Sequence, residues 1–157
     1  MTLLSRTVVV VLSLSVAVAV AGCATFKKMS AEEAIAARQE LMKKQGAAMR
    51  SISDKLKAGQ VQAVAADASI LEDTARKIPK LFPEGSVNPA TSRAKPEIWQ
   101  KWPEFEKHAK TLHEQADTLE KTAKSGNAEA TSKLVADIGR QTCGGCHTAF
   151  RGPEIKK

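Results

Sequence analysis

Apolar residues recur at alternating intervals of three and four along most of the chain, the spacing that lines one face of an α-helix. In the first such stretch Ile35, Arg38, Met42, Gln45, Met49, Ile52 and Leu56 share a face. Ser30, with Glu33 three residues on, supplies a capping box at its start, and Gly59 marks its end. Val61, Val64, Ala68, Leu71, Ala75 and Ile78 define a second helix, which Pro79 stops. A segment punctuated by Pro79, Pro83, Gly85, Pro89 and Pro96 follows, with no sustained period of either kind. Its Leu81, Phe82 and Trp99 are expected to tuck it against the helices. After Trp102 and Pro103 a third helix carries Phe105, Ala109, Leu112, Ala116, Leu119 and Ala123 on one face, and Ser125, Gly126 and Asn127 end it. A fourth helix spans about residues 128–151 through Leu134, Ile138 and Cys146, and Gly152 with Pro153 closes it. No segment alternates at period two for long enough to be a strand. The fold class is therefore all-α: an up-and-down antiparallel four-helix bundle with one long loop between helices 2 and 3.

At 157 residues the chain suits one domain. The inward positions are mostly Ala, Leu, Ile and Val, with Phe only at 105 and 150 among the helix faces, which is thin filling for a bundle. Either an Ala-rich bundle packs tightly by itself, or a large apolar cofactor completes the core. The net charge of +7 is spread along the sequence without a basic stripe, which argues against a nucleic-acid partner. No apolar run reaches the roughly 20 residues that span a bilayer, which excludes an integral membrane protein.

The N-terminus pairs one cation, Arg6, with the apolar residues 7–20, the right length for the core of an export signal. Val20-Ala21-Gly22-Cys23 resembles the lipobox of bacterial lipoproteins, which predicts acylation of Cys23 and a membrane tether through that lipid. The other reading is ordinary cleavage after Ala21, leaving a free thiol. The division is then 1–22 signal peptide, 23–29 tether and 30–157 bundle domain. Loss of Arg6 lowers the net charge from +7 to +6. Ala24 after the cysteine fits sorting to the outer membrane of a Gram-negative cell, so a periplasmic, lipid-anchored location is expected.

The cysteine count is three, which leaves one thiol over in any disulfide scheme. Cys143-Gly144-Gly145-Cys146-His147 has the C-x-x-C-H form of a c-type haem attachment site. Two thiols one helical turn apart can add to the two haem vinyl groups, and the adjacent imidazole ligates iron. The paired glycines permit close backbone approach. Export agrees with this motif, because attachment takes place outside the bacterial cytoplasm. Three other readings stand beside it. A Cys143–Cys146 disulfide would leave His147 idle; a thioredoxin-like redox pair expects a βαβ context. A zinc site would need His108 or His113 as a fourth ligand, and both are expected to face solvent on the third helix.

A C-x-x-C-H motif near the end of a four-helix bundle, followed by Phe150 and Arg151, resembles the cytochrome c prime family of class II c-type cytochromes. The resemblance covers about residues 30–151. It includes Ala37-Arg38-Gln39 with Met42-Lys43 in the first helix, and Arg93-Ala94-Lys95-Pro96-Glu97-Ile98-Trp99 before the third. It implies one covalent haem c on Cys143 and Cys146, with His147 as the proximal iron ligand. It also implies Arg38, and more weakly Gln39, beside a haem propionate, and Arg151 beside the proximal pocket. Arg38 lies on the inward stripe with Met42, where a buried cation needs a partner. The alternative is a solvated surface arginine.

In that family the residue four positions after the first-helix Arg stands over the distal side of the iron, and here it is Met42. In low-spin relatives a Met at this place is the sixth ligand; in high-spin members an apolar side chain covers an open position that takes nitric oxide or carbon monoxide. The run Lys77-Ile78-Pro79-Lys80-Leu81-Phe82-Pro83-Glu84-Gly85 resembles the low-spin branch. The leading expectation is therefore a periplasmic one-electron carrier with Met42 and His147 on the iron. The other is a five-coordinate cytochrome with Met42 as a pocket residue and a small gas as ligand. Neither is an enzyme in the turnover sense. Arg151, Lys156 and Lys157 could steer an acidic redox partner of unknown identity, and the resemblance implies a homodimer.

Overall fold

The computed structural model describes residues 29–155. The signal segment, Cys23, most of the tether, Lys156 and Lys157 lie outside the described residues. Within them the elements are α1 (Ala31–Lys57), α2 (Val64–Ala75), α3 (Glu97–Gln100), α4 (Trp102–Lys124), α5 (Ala128–Asp137) and α6 (Gly144–Phe150). A π-helical run, Ile138–Cys143, joins α5 to α6, so the last arm of the bundle is one helix with a widened turn. No strand occurs among the described residues. The all-α bundle stands.

Local chemistry sets the ends as the sequence indicates. Ser30 Oγ accepts from the Glu33 amide at 3.1 Å, and the Glu33 carboxylate accepts from the Ser30 amide at 2.8 Å, a complete capping box. Asn127 caps α5 by accepting from the Ala130 amide at 3.0 Å. Gly59 and Gly126 take φ of 70° and 77° after α1 and α4, the left-handed conformation that glycine reaches without steric cost.

Packing follows the predicted stripe most faithfully on α4, where Phe105, Ala109, Leu112, Ala116, Leu119 and Ala123 are all buried. They meet Val64, Ala68, Leu71 and Ala75 of α2, the most extensive helix pair of the fold. Each fully buried Leu or Ile here, such as Leu71, Leu119 and Ile52, contributes about 1.5–3 kcal/mol by leaving water. On α1 the buried row is Ala34, Arg38, Leu41, Gln45, Ala48 and Ile52, with Ile35 beside it. Met42, Met49 and Leu56 are half-buried at its margin, one step around the helix from where the spacing put the core. α1 packs on α2 and only lightly on α5. The seam between α1 and the last arm is the loosest of the bundle.

The long loop is not featureless. It contains a short 3₁₀ turn, Pro79–Leu81, and the one-turn helix α3. Phe82 is buried and packs edge-on against Phe105, with ring centroids 4.8 Å apart. Trp99 donates its indole N–H to the Phe82 carbonyl at 3.1 Å. Phe105 in turn meets Phe150 at 5.5 Å, edge to face.

Candidate functional site

The C-terminal arm carries most of the predicted site. In the π-helical run the Gly144 amide reaches back to the Gly139 carbonyl, the i to i+5 bond that widens a turn. Buried Thr142 donates its hydroxyl to Gln115 Oε1 on α4 at 2.5 Å, which fixes that turn one residue before Cys143. Cys143 and Cys146 then lie one turn apart as free, half-buried thiols. Burial pushes both thiols up, Cys146 to about 11 with Cys143 adding to the effect. His147 is half-buried, and burial first, then the Arg151 and Arg93 charges, hold its imidazole below its ordinary range. A neutral imidazole with a free lone pair results, which is the form that ligates metal. His147, Thr148, Arg151, Arg93 and Gly152 border an open surface hollow of about 400 Å³.

Arg38 and Gln39 are brought to the loop. The Arg38 guanidinium is 4% exposed and donates to Leu81 O at 3.4 Å, Ser86 Oγ at 2.8 Å, Ser86 O at 2.7 Å and Ser92 Oγ at 2.7 Å. It also stands 4.7 Å from the centre of the Phe82 ring. All these acceptors are neutral, so the buried cation has partners but no counter-charge among them, and burial lowers its pKa. Gln39 is exposed and donates to Thr91 O at 2.7 Å. Arg38 is thus buried on the inward side of α1 and not a solvated surface arginine, and the loop supplies partners for it within the chain.

Met42 sits half-buried on the edge of α1 that turns toward the last arm. Met49, two turns further along the same edge, fixes that direction: its terminal methyl lies 3.7 Å from where a β-carbon would stand on Gly139. Across the seam, Leu134, Val135, Cys143 and Cys146 are likewise half-buried and pack on the common core. Two half-buried apolar rows thus border the seam where α1 and α5 pack only lightly.

His108 and His113 are not solvent-facing as expected. His108 packs on Phe150 at 6.0 Å, because α6 covers that flank of α4. His113 is half-buried 3.6 Å from Glu72 Oε1 of α2, and its buried Nδ1 has no hydrogen-bond partner. Among the described residues no three His, Cys, Asp or Glu side chains are grouped to hold a metal ion, so the zinc reading finds no ligand set. The all-helical context likewise removes the thioredoxin-like reading.

Residues 33–151 match the family model described as Cytochrome C′. The chain belongs to the cytochrome c′ family. A cytochrome c′ from Pararhodospirillum photometricum is 33% identical over 125 residues, 78% of this chain and 98% of that protein. The crystal structure of cytochrome c′ from Thermochromatium tepidum superposes with a TM-score of 0.70 at 30% identity, covering 80% of this chain and 99% of the other. A second solved cytochrome c′, described as having an unusual ligand-controlled dimer dissociation, gives 0.72 at 30% identity over 79% and 98%. This cytochrome c′ chain accordingly carries one covalent haem c.

The residues present fit that group. Two adjacent thiols, a neutral imidazole, an apolar seam and a buried guanidinium short of an anion match two vinyl carbons, iron, the porphyrin faces and a propionate, respectively.

Proposed function

We propose that the protein is a monohaem gas-binding cytochrome c′, exported to the periplasm, in which Cys143 and Cys146 hold haem by thioether bonds and His147 is the proximal iron ligand. When bound, the haem would supply an iron able to take a further ligand and one-electron redox chemistry. The chain's own residues set what reaches it. His147 stays neutral and oriented on α6. Arg38 offers charge to a propionate, with Gln39 beside it, and Arg151 stands next to His147. The edge of α1 bearing Met42 and Met49 covers the opposite side with apolar atoms that admit a small uncharged molecule and disfavour ions. A bound porphyrin would complete the core along the lightly packed seam between α1 and the last arm.

The observation that carries this reading is the similarity, at 30% identity over nearly the whole of the other chain, to a cytochrome c′ whose dimer dissociation is ligand-controlled. Carbon monoxide added to the reduced holoprotein should give a new absorption spectrum and shift the sedimentation of a homodimer. A reduced protein whose spectrum ignores carbon monoxide would refute the proposal.

One observation favours a second reading, a one-electron carrier: the side chain on the critical edge of α1 is a methionine, Met42, and not a simple hydrocarbon. Thioether ligation predicts a low-spin spectrum with a weak near-red band that Met42→Ala abolishes. Under the gas-binding reading Met42→Ala leaves the resting spectrum as it was and speeds gas entry. Neither reading involves enzymatic turnover. A lipid on Cys23, anchoring the protein at the outer membrane, is proposed from the lipobox alone.

A further inference from the structure

A helix leaves its last carbonyls without partners, and a helix as short as α6 has little rigidity of its own. In α6 those carbonyls are taken from outside. Lys95 Nζ donates to Ala149 O at 2.8 Å, and the Lys95 amide donates to Phe150 O at 3.1 Å. Beside it Arg93 and Gly152 pair twice: the Gly152 amide donates to Arg93 O at 2.7 Å, and Arg93 Nε donates to Gly152 O at 2.9 Å. An isolated antiparallel bridge between Ala94 and Arg151 completes the clasp. One residue upstream, Ser92 Oγ accepts from both Arg38 of α1 at 2.7 Å and the Ala94 amide at 3.2 Å.

We propose that Lys95 and Arg93 are positioning residues for His147, and that residues 92–95 form a strap coupling Arg38 on α1 to the last turn of α6. His147 belongs to that turn, two residues before Ala149, so any slackening of the clasp moves its imidazole. The ammonium of Lys95 at a helix C-terminus is also favoured by the helix dipole. The strap therefore links the helix bearing Met42 to the helix bearing His147 by a path that does not run through the seam between them. The proposal rests on His147 being the iron ligand.

The test compares reduced holoprotein of wild type, Lys95→Met, Lys95→Arg and an exposed control, Lys107→Met, by resonance Raman of the iron–histidine stretch and by amide hydrogen exchange. Lys95→Met should shift the stretch and raise exchange at Gly152 about tenfold. Lys95→Arg should restore most of both, and Lys107→Met should change neither. Faster exchange at Gly152 with an unmoved iron–histidine stretch would overturn the proposal, because the clasp would then be only structural. If Lys95→Met does not accumulate, Ser92→Ala is read instead: a shift in the stretch supports the strap, and none overturns it. An iron–histidine stretch that persists unchanged in His147→Gly would reject the assignment of His147 itself, and the proposal with it.

Discussion

Arg38 reaches Ser86 twice, donating to its hydroxyl at 2.8 Å through one terminal nitrogen and to its carbonyl at 2.7 Å through the other. A planar guanidinium can span both acceptors and still bond Ser92; an ammonium cannot. This side chain, together with buried Phe82 and the Trp99–Phe82 bond, holds a loop without periodic structure on its course. Arg38→Met should destabilise the folded protein by about 2–4 kcal/mol, since it strands the buried Ser86 and Ser92 acceptors. Arg38→Lys should recover only part of that. Urea unfolding of the three proteins measures it, and equal stability of Arg38→Met and wild type would refute it.

Asp67 is a buried carboxylate that accepts from Ser51 Oγ and Lys55 Nζ, both at 2.7 Å, and so joins α1 to α2. Lys55→Met leaves that charge with a single neutral partner. The expected cost is about 2 kcal/mol, and Asp67→Asn in the same chain should return most of it. A double variant no more stable than Lys55→Met would show that the pair is not coupled.

The Thr142–Gln115 bond ties the π-helical run to α4. Thr142→Val and Gln115→Ala should each cost about 1 kcal/mol, and the double variant should cost less than their sum. Strict additivity in thermal unfolding would mean that the two side chains do not support each other.

Before haem attachment, Cys146 should be a slow nucleophile. Its thiol is raised from an ordinary 9.0 to about 11, chiefly by burial, so its thiolate population below pH 9 is about 100-fold smaller than that of an open thiol. Iodoacetamide labelling of the folded, haem-free chain should be slower than that of the urea-unfolded chain by this factor. Because folding raises this thiol's pKa, its contribution to stability is intact below pH 9.0 and is lost as pH rises toward about 11. The haem-bearing protein, with both sulfurs in thioether bonds, should show no such alkaline loss and no thiol reactive to labelling at Cys143 or Cys146.

Much of the bundle was legible because repeated spacing needs no distant information. The α4 stripe is buried position by position, and the capping box at Ser30 needs only its neighbours. On α1 Ile35, Arg38, Gln45 and Ile52 are buried as the spacing indicates, while Met42, Met49 and Leu56 lie at the margin for a physical reason. A helix with apolar residues at 41, 42, 48 and 49 offers two adjacent rows, and which row turns inward depends on what packs there. Here Leu41 and Ala48 enter the core where α1 packs on α2, and Met42 and Met49 fall to the margin of the seam. His108 and His113 were misplaced for a related reason, since the flanks of α4 are covered by α6 and α2.

By itself the sequence determined the all-helical class, the order and ends of the long helices, and the grouping of Cys143, Cys146 and His147, because all of these depend on residues within a turn or two of one another. Tertiary structure decided how Arg38 is satisfied, which edge of α1 carries Met42, and that Lys95 holds the end of α6. The Arg38 and Lys95 contacts join residues 43 to 54 positions apart through a loop with no periodic pattern, so no local spacing encodes them.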